Sequence, residues 1–191
     1  EEMTASSLVK VDLDGNIVSP TPYYINPAGF TIHSAIHAAR EDALCVIHLH
    51  TDAGVGVSAQ KDGLLPLTQN ALLMLPNLAY HGYEGVALEM DERERIASDL
   101  GPTSKAMIMR NHGLLSLGAT VGEAFHYMYY LDASCQIQID ALAGGYEKLK
   151  TLDEATARKG YAQIHGPNGN QLQKEWPTLL RMLDRKGDIY R

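Results

Sequence analysis

The stretch Leu44-Cys-Val-Ile-His-Leu-His50 decides how this chain is read. It is a short apolar run with β-branched residues, of the kind that makes a buried central strand. Side chains two apart on a strand point to one face, so His48 and His50 are placed to reach a single ion. A strand carrying a His-x-His pair needs a sheet around it, and the flanking sequence supplies one.

Upstream, apolar residues recur at Phe30, Ile36 and Ala39, which predicts a helix over Ala28 to Arg40. The three prolines between Ser19 and Pro27 force an extended loop before it. Further back, Leu8 to Leu13 alternates with the period of a strand, and Asp14-Gly15-Asn16 supplies a turn before Ile17-Val18, a β-hairpin pattern. Downstream come a glycine-containing stretch from Asp52 to Ser58 and a short helix over Thr68 to Leu75. Val86 to Met90 reads as a further strand. Asp91 with Glu94 forms a capping box for a helix that Gly101 and Pro102 close. Ala106-Met-Ile-Met109 and Leu114-Leu-Ser-Leu117 are strands joined through Arg110-Asn111-His112-Gly113. Thr120 with Glu123 is a second capping box, opening the longest helix, apolar through Phe125, Met128, Leu131, Cys135 and Ile139 to Gly144-Gly145. The expected organisation is one α/β domain over 1–145, followed by a helical extension over 146–191 that packs on it and is split by Gly166-Pro-Asn-Gly-Asn170. Trp176 is expected to anchor that extension.

Sixteen Lys and Arg against 23 Asp and Glu leave a net charge of -7 over 191 residues. An acidic surface repels phosphate backbones and anionic headgroups, which argues against nucleic acid and membrane as partners. No apolar run is long enough to span a bilayer, and the first residues lack the layout of a secretory signal. The two cysteines, Cys45 and Cys135, each sit in apolar surroundings, as buried thiols do in a reducing compartment, so the expected location is cytoplasmic.

The eight histidines carry the chemistry. His48 and His50 are half a metal site, and His112, in the tight turn between two strands, is the leading third ligand. Three imidazoles leave one coordination position open, the layout of a catalytic divalent site that suits zinc best. Asp52 competes for the third place if the strand runs that far. His33 and His37 stand at i, i+4 spacing, but Ser34 occupies the place of the glutamate in a helix-borne zinc motif, and the pair reads as structural. His81-Gly-Tyr-Glu84 presents an imidazole and a carboxylate in a loop, where acid–base groups are often displayed. Gly54-Val-Gly56 lacks the third glycine of a dinucleotide fingerprint, and no Ser or Cys nucleophile stands in a recognisable frame.

Three blocks together, Asn26-Pro-Ala-Gly-Phe-Thr-Ile-His33, Val46-Ile-His-Leu-His-Thr51 and Met107-Ile-Met-Arg-Asn-His-Gly-Leu-Leu-Ser-Leu-Gly118, resemble the class II aldolase/adducin family, in order and spacing, from about Leu8 to Ala143. The resemblance implies a three-layer α/β/α fold around a mainly antiparallel sheet. It also implies ring-like homotetramers with active sites at subunit boundaries, and zinc held by His48, His50 and His112. The implied activity is lyase-like chemistry on a small hydroxycarbonyl or sugar-phosphate-like compound, with the ion stabilising an enediolate. Its alternative is the adducin head, a non-catalytic oligomerisation module tied to the cytoskeleton. Gly29 aligns where the sugar-phosphate aldolases carry a glutamate base, which leaves His33, His81 and Glu84 as substitutes and Glu84 as the choice. The family's front helix and its Gly-Asn phosphate-contacting segment would lie before Glu1, so the chain is expected to be part of a longer protein.

Overall fold

The computed structural model describes residues 3–166 and 172–187, with the side chains of 172–174 left aside. Most of the expected hairpin's apolar residues stay in water: Leu8, Leu13, Ile17 and Val18 are all exposed. It is accordingly reduced to one bridge, Val11 to Ile17, closed by Asp12 taking the amides of Asp14 and Asn16.

Helix α1 (Pro27–Ala39) starts where Asn26 accepts from the Ala28 amide, with Pro27 in the first turn, where its missing N–H costs nothing. Strand β1 (Cys45–Leu49) leads into α2 (Asp52–Ser58) and α3 (Gln69–Met74), capped by the hydroxyls of Thr51 and Thr68. Then follow β2 (Leu78–His81), α4 (Glu92–Leu100), β3 (Ala106–Met109), β4 (Gly113–Gly118) and the 22-residue α5 (Val121–Leu142). Helices α6 (Glu154–Ile164) and α7 (Leu172–Asp184) pack on α3 and α5 respectively. Of the expected splitting segment, residues 167–170 lie outside those described.

The sheet runs β1-β4-β3-β2, antiparallel at β1/β4 and β4/β3 and parallel at β3/β2. Strand alternation sorts its side chains. Met107, Met109, Leu115 and Leu117 meet α1 and α4 on one face, while Ala106, Ile108 and Leu114 meet α2, α3 and α5 on the other. The result is the expected three-layer α/β/α arrangement around a mainly antiparallel sheet. An ion network ties the sheet's lower end: Arg40 grips Asp42 and the carbonyls of Gly101 and Ser104, and Lys105 bridges Asp42 to Glu123. The Arg40 guanidinium, then the Lys105 ammonium, hold the Asp42 carboxyl well below the usual carboxylate range. Cys45 and Cys135 are free thiols pushed up by burial, Cys135 to about 12.

Three local expectations are corrected. The strand at Leu44–His50 is an edge of the sheet, not its centre: Val46 alone in β1 is fully buried, whereas β3 and β4 are buried throughout. Val86 to Met90 is loop, and the strand lies at Leu78–His81 instead. The alternation at Val86, Leu88 and Met90 is real, but those side chains face solvent and only Ala87 between them is buried, so nothing pairs with the segment. Asp91 has helical dihedrals and makes no side-chain cap bond; its carboxylate reaches Arg95 at 3.2 Å instead. The box at Thr120 forms in a shifted version, with Glu123 returning to the Ala119 amide.

Leu117, fully buried between the sheet and α1/α4, tests the packing. Leu117→Ala should cost about 2–5 kcal/mol in urea denaturation, whereas Leu44→Ala, at a residue 74% exposed, should stay within about 0.5 kcal/mol.

Candidate metal centre

The β1/β4 register brings the end of one strand against the start of the other: His48 pairs with Leu115 and Leu49 with Leu114. His112 stands immediately before β4, in the turn from β3. Its neighbour Asn111 has φ 55°, a left-handed conformation that asparagine tolerates better than most residues. The turn is pinned on several sides. The Arg110 amide donates to the His81 carbonyl, the Asn111 amide to the Ser58 carbonyl, and the Arg110 guanidinium donates to the Gln60 carbonyl while lying 4.3 Å over the Tyr80 ring.

Gly113 makes the approach sterically possible. A Cβ there would stand 2.5 Å from the Leu49 carbonyl oxygen and 2.9 Å from Cδ2 of His50. On the other side of His50, the Thr51 hydroxyl donates to Asp132 on α5 while accepting the Gly54 amide, so the chain leaves the strand along one fixed path.

The three imidazoles cluster with ring centroids 4.7 to 4.9 Å apart, and one nitrogen from each lies within 4.8 Å of the others. His48 Nδ1 is 2.9 Å from the Leu114 carbonyl, so Nδ1 carries the proton and Nε2 the lone pair. That Nε2 faces Nε2 of His50 at 2.8 Å. Two lone pairs at that distance repel unless a proton or a cation lies between them. The nitrogens of a tetrahedral zinc site stand about 3.3 Å apart at ordinary bond lengths, so this pair would part by about half an ångström around an ion. Burial pushes His48 down to about 4, opposed by the Leu114 hydrogen bond and helped by His112, His50 and His33. His112 is lowered too, by burial first and by His50 and His81 after it. Both rings are thus neutral at pH 7, the form a metal requires.

The other sequence candidates fall outside the cluster. Asp52 opens α2 and is not a member. His37 Nδ1 is taken by the Ala43 carbonyl at 2.7 Å; His33 is lowered by burial and then by His37. His81 is 2% exposed, with Nδ1 on Asp99 at 2.7 Å and Nε2 3.5 Å from Glu92. Glu84 is clasped by Arg95, whose hydrogen bonds hold its carboxyl below the usual range. A Cβ at Gly29 would meet only Asn26, at 3.8 Å, so that position is open. Tyr83 belongs to no ligand or acid–base pattern in the sequence, yet its ring stands 6.5 Å from that of His112, edge-on. Its one sequence signal is its place in the loop that leaves β2.

Two outcomes follow from this geometry. In the metal-free protein, the folded-state value of His48 lies below its unfolded value near 6.5, so the unfolded chain binds more protons as pH falls. Stability should therefore decline from about pH 6.5 towards pH 4, by an order of 3 kcal/mol, and His48→Gln should flatten that slope in urea midpoints measured across the range. Gly113→Ala should displace His50 and destabilise the chain by at least about 1 kcal/mol, with divalent-metal affinity falling in the same preparation.

Comparison with known proteins agrees with the fold. The family described as class II aldolase and adducin N-terminal domain matches residues 1–139. A Caulobacter vibrioides protein provisionally named a class 2 aldolase is 55% identical over 189 residues, 99% of this chain and 73% of that protein. Rat (Rattus norvegicus) alpha-adducin is 46% identical over 199 residues, covering 97% of this chain but only 27% of the adducin. Among solved structures, the L-fuculose 1-phosphate aldolase of Glaciozyma antarctica PI12 superposes with a TM-score of 0.80 at 29% identity, covering 99% of this chain and 72% of that one. The chain belongs to the class II aldolase and adducin family.

Proposed function

We propose that this chain is a metal-dependent, lyase-like enzyme that cleaves or rearranges a small hydroxycarbonyl compound, sugar phosphates included. The observation that carries the reading is the imidazole trio with one nitrogen of each ring turned to a common point, a cluster that includes no carboxylate among the described residues. His48, His50 and His112 would hold the ion, and zinc is our choice from the all-nitrogen donor set. A divalent ion so held supplies Lewis acidity to the oxygens of a bound hydroxycarbonyl. Leu114 orients His48, Gly113 admits His50, and the pinned Arg110-Asn111 turn fixes His112. The similarity to an L-fuculose 1-phosphate aldolase supports the substrate class. Cytoplasmic residence, homotetramer formation and a core domain at 1–145 carrying the 146–191 extension belong to the same proposal.

Glu84 is our proton-transfer residue, and Arg95 is its obstacle: a carboxylate held in an ion pair is a weak base until the pair opens. A second reading, a non-catalytic adducin-like oligomerisation module, is favoured by the 46% identity to alpha-adducin.

Metal analysis separates the two. The enzyme reading expects about one divalent ion per chain after expression in metal-replete medium, a chelator-induced fall in Tm, and loss of the ion in folded His48→Ala or His112→Ala protein. A metal-free preparation favours the module. With L-fuculose 1-phosphate as substrate, Glu84→Gln should lower turnover about a hundredfold at unchanged metal content, and unchanged turnover removes Glu84 from the mechanism.

A further inference from the structure

A cleft of about 420 Å³ opens between α5 and α7, walled by Phe125, Tyr129 and Tyr130 and floored by His126 and Glu175, with Leu179 at its side. It lies away from the imidazole trio. His126 sits on the first turns of α5, which follows β4 at Gly118, whereas the trio surrounds the opposite end of β4 at Gly113. Its volume falls in the range of small-molecule sites, and its walls are mainly aromatic.

The floor is a built polar group. His126 is only 8% exposed, its Nδ1 stands 2.7 Å from one Glu175 oxygen, and the Tyr130 hydroxyl donates to the other at 2.8 Å. With Nδ1 donating to the carboxylate, Nε2 of the neutral ring is a hydrogen-bond acceptor. Among the described residues Nε2 of His126 has no hydrogen-bond partner. The buried side-chain polar atom without a partner among the described residues is His81 Nε2, so the His126 nitrogen reaches open space, and the open space it lines is this cleft.

The lining restricts what can bind. Among the described residues no cation faces the cleft, which disfavours anions. Each Glu175 oxygen already accepts a hydrogen bond from the floor of the cleft, His126 on one and Tyr130 on the other, which leaves the His126 nitrogen as the polar atom still without a partner there. Phe125 and Tyr129 are stacked with centroids 6.1 Å apart and offer faces to a flat ring. We propose that this cleft binds a neutral small aromatic molecule carrying one hydrogen-bond donor, of the phenol class, with the donor on His126 Nε2. The site is independent of the metal reading.

The single tryptophan reports on it, because Trp176 stands 5.6 Å from the Phe125 ring. Titration of the full chain with phenol should change Trp176 emission saturably. Anisole, which keeps the ring and lacks the donor, should bind roughly tenfold more weakly, the factor one neutral hydrogen bond supplies. His126→Phe should erase the difference between the two. Tyr129→Ala, at a residue 57% exposed and so not required for folding, should weaken both. The site is overturned by any of four results: no saturable response to phenol, equal binding of phenol and anisole, tetramethylammonium binding more tightly than phenol, or an unchanged phenol affinity in Tyr129→Ala.

Discussion

The contact between Gly113 and the end of β1 is the constraint on which the candidate centre depends. The missing Cβ lets the start of β4 lie against the Leu49 carbonyl and the His50 ring. Because side chains alternate along a strand, the same pairing that seats Leu115 and Leu117 in the α1/α4 layer also sets His48 beside His112. A slip of one residue would turn the core face and the histidine face over together. Register, core and candidate metal centre therefore stand or fall as one arrangement.

The two ends of the sheet are stabilised by different chemistry. At the lower end, Arg40, Asp42, Lys105 and Glu123 form a charged network that joins helix ends to strand starts. At the upper end stand imidazoles, of which His48 and His112 are lowered by burial first, and the Leu114 carbonyl orients His48.

Much of this was legible in the chain. The cap at Thr120, the Arg110–Gly113 connection and the long helix that Thr120 opens all follow from local chemistry that tertiary packing leaves in place. Val86 to Met90 misled because alternation records which residues share a face and says nothing about whether a partner strand is there. Leu78–His81 escaped because a strand of four residues, running straight out of a 3-10 turn at Leu75–Asn77, leaves little pattern to read. Asp91 had the right residue for a cap and the wrong neighbour, since Arg95 one turn on offered its carboxylate a charged partner.

Residue type and spacing were enough to bring His48, His50 and His112 forward as candidates and to carry the family resemblance, from which the layered fold was expected. How those imidazoles meet was left to the pairing of the strands, since the edge position of β1 and the close approach that Gly113 admits arise only once β1 and β4 lie side by side. Tertiary structure also decided what the remaining titratable groups are free to do. Whether His81 is sealed by Asp99 and Glu92, Glu84 clasped by Arg95, or His126 left open on one side depends on partners 11 to 49 residues away in the chain, which no local pattern encodes.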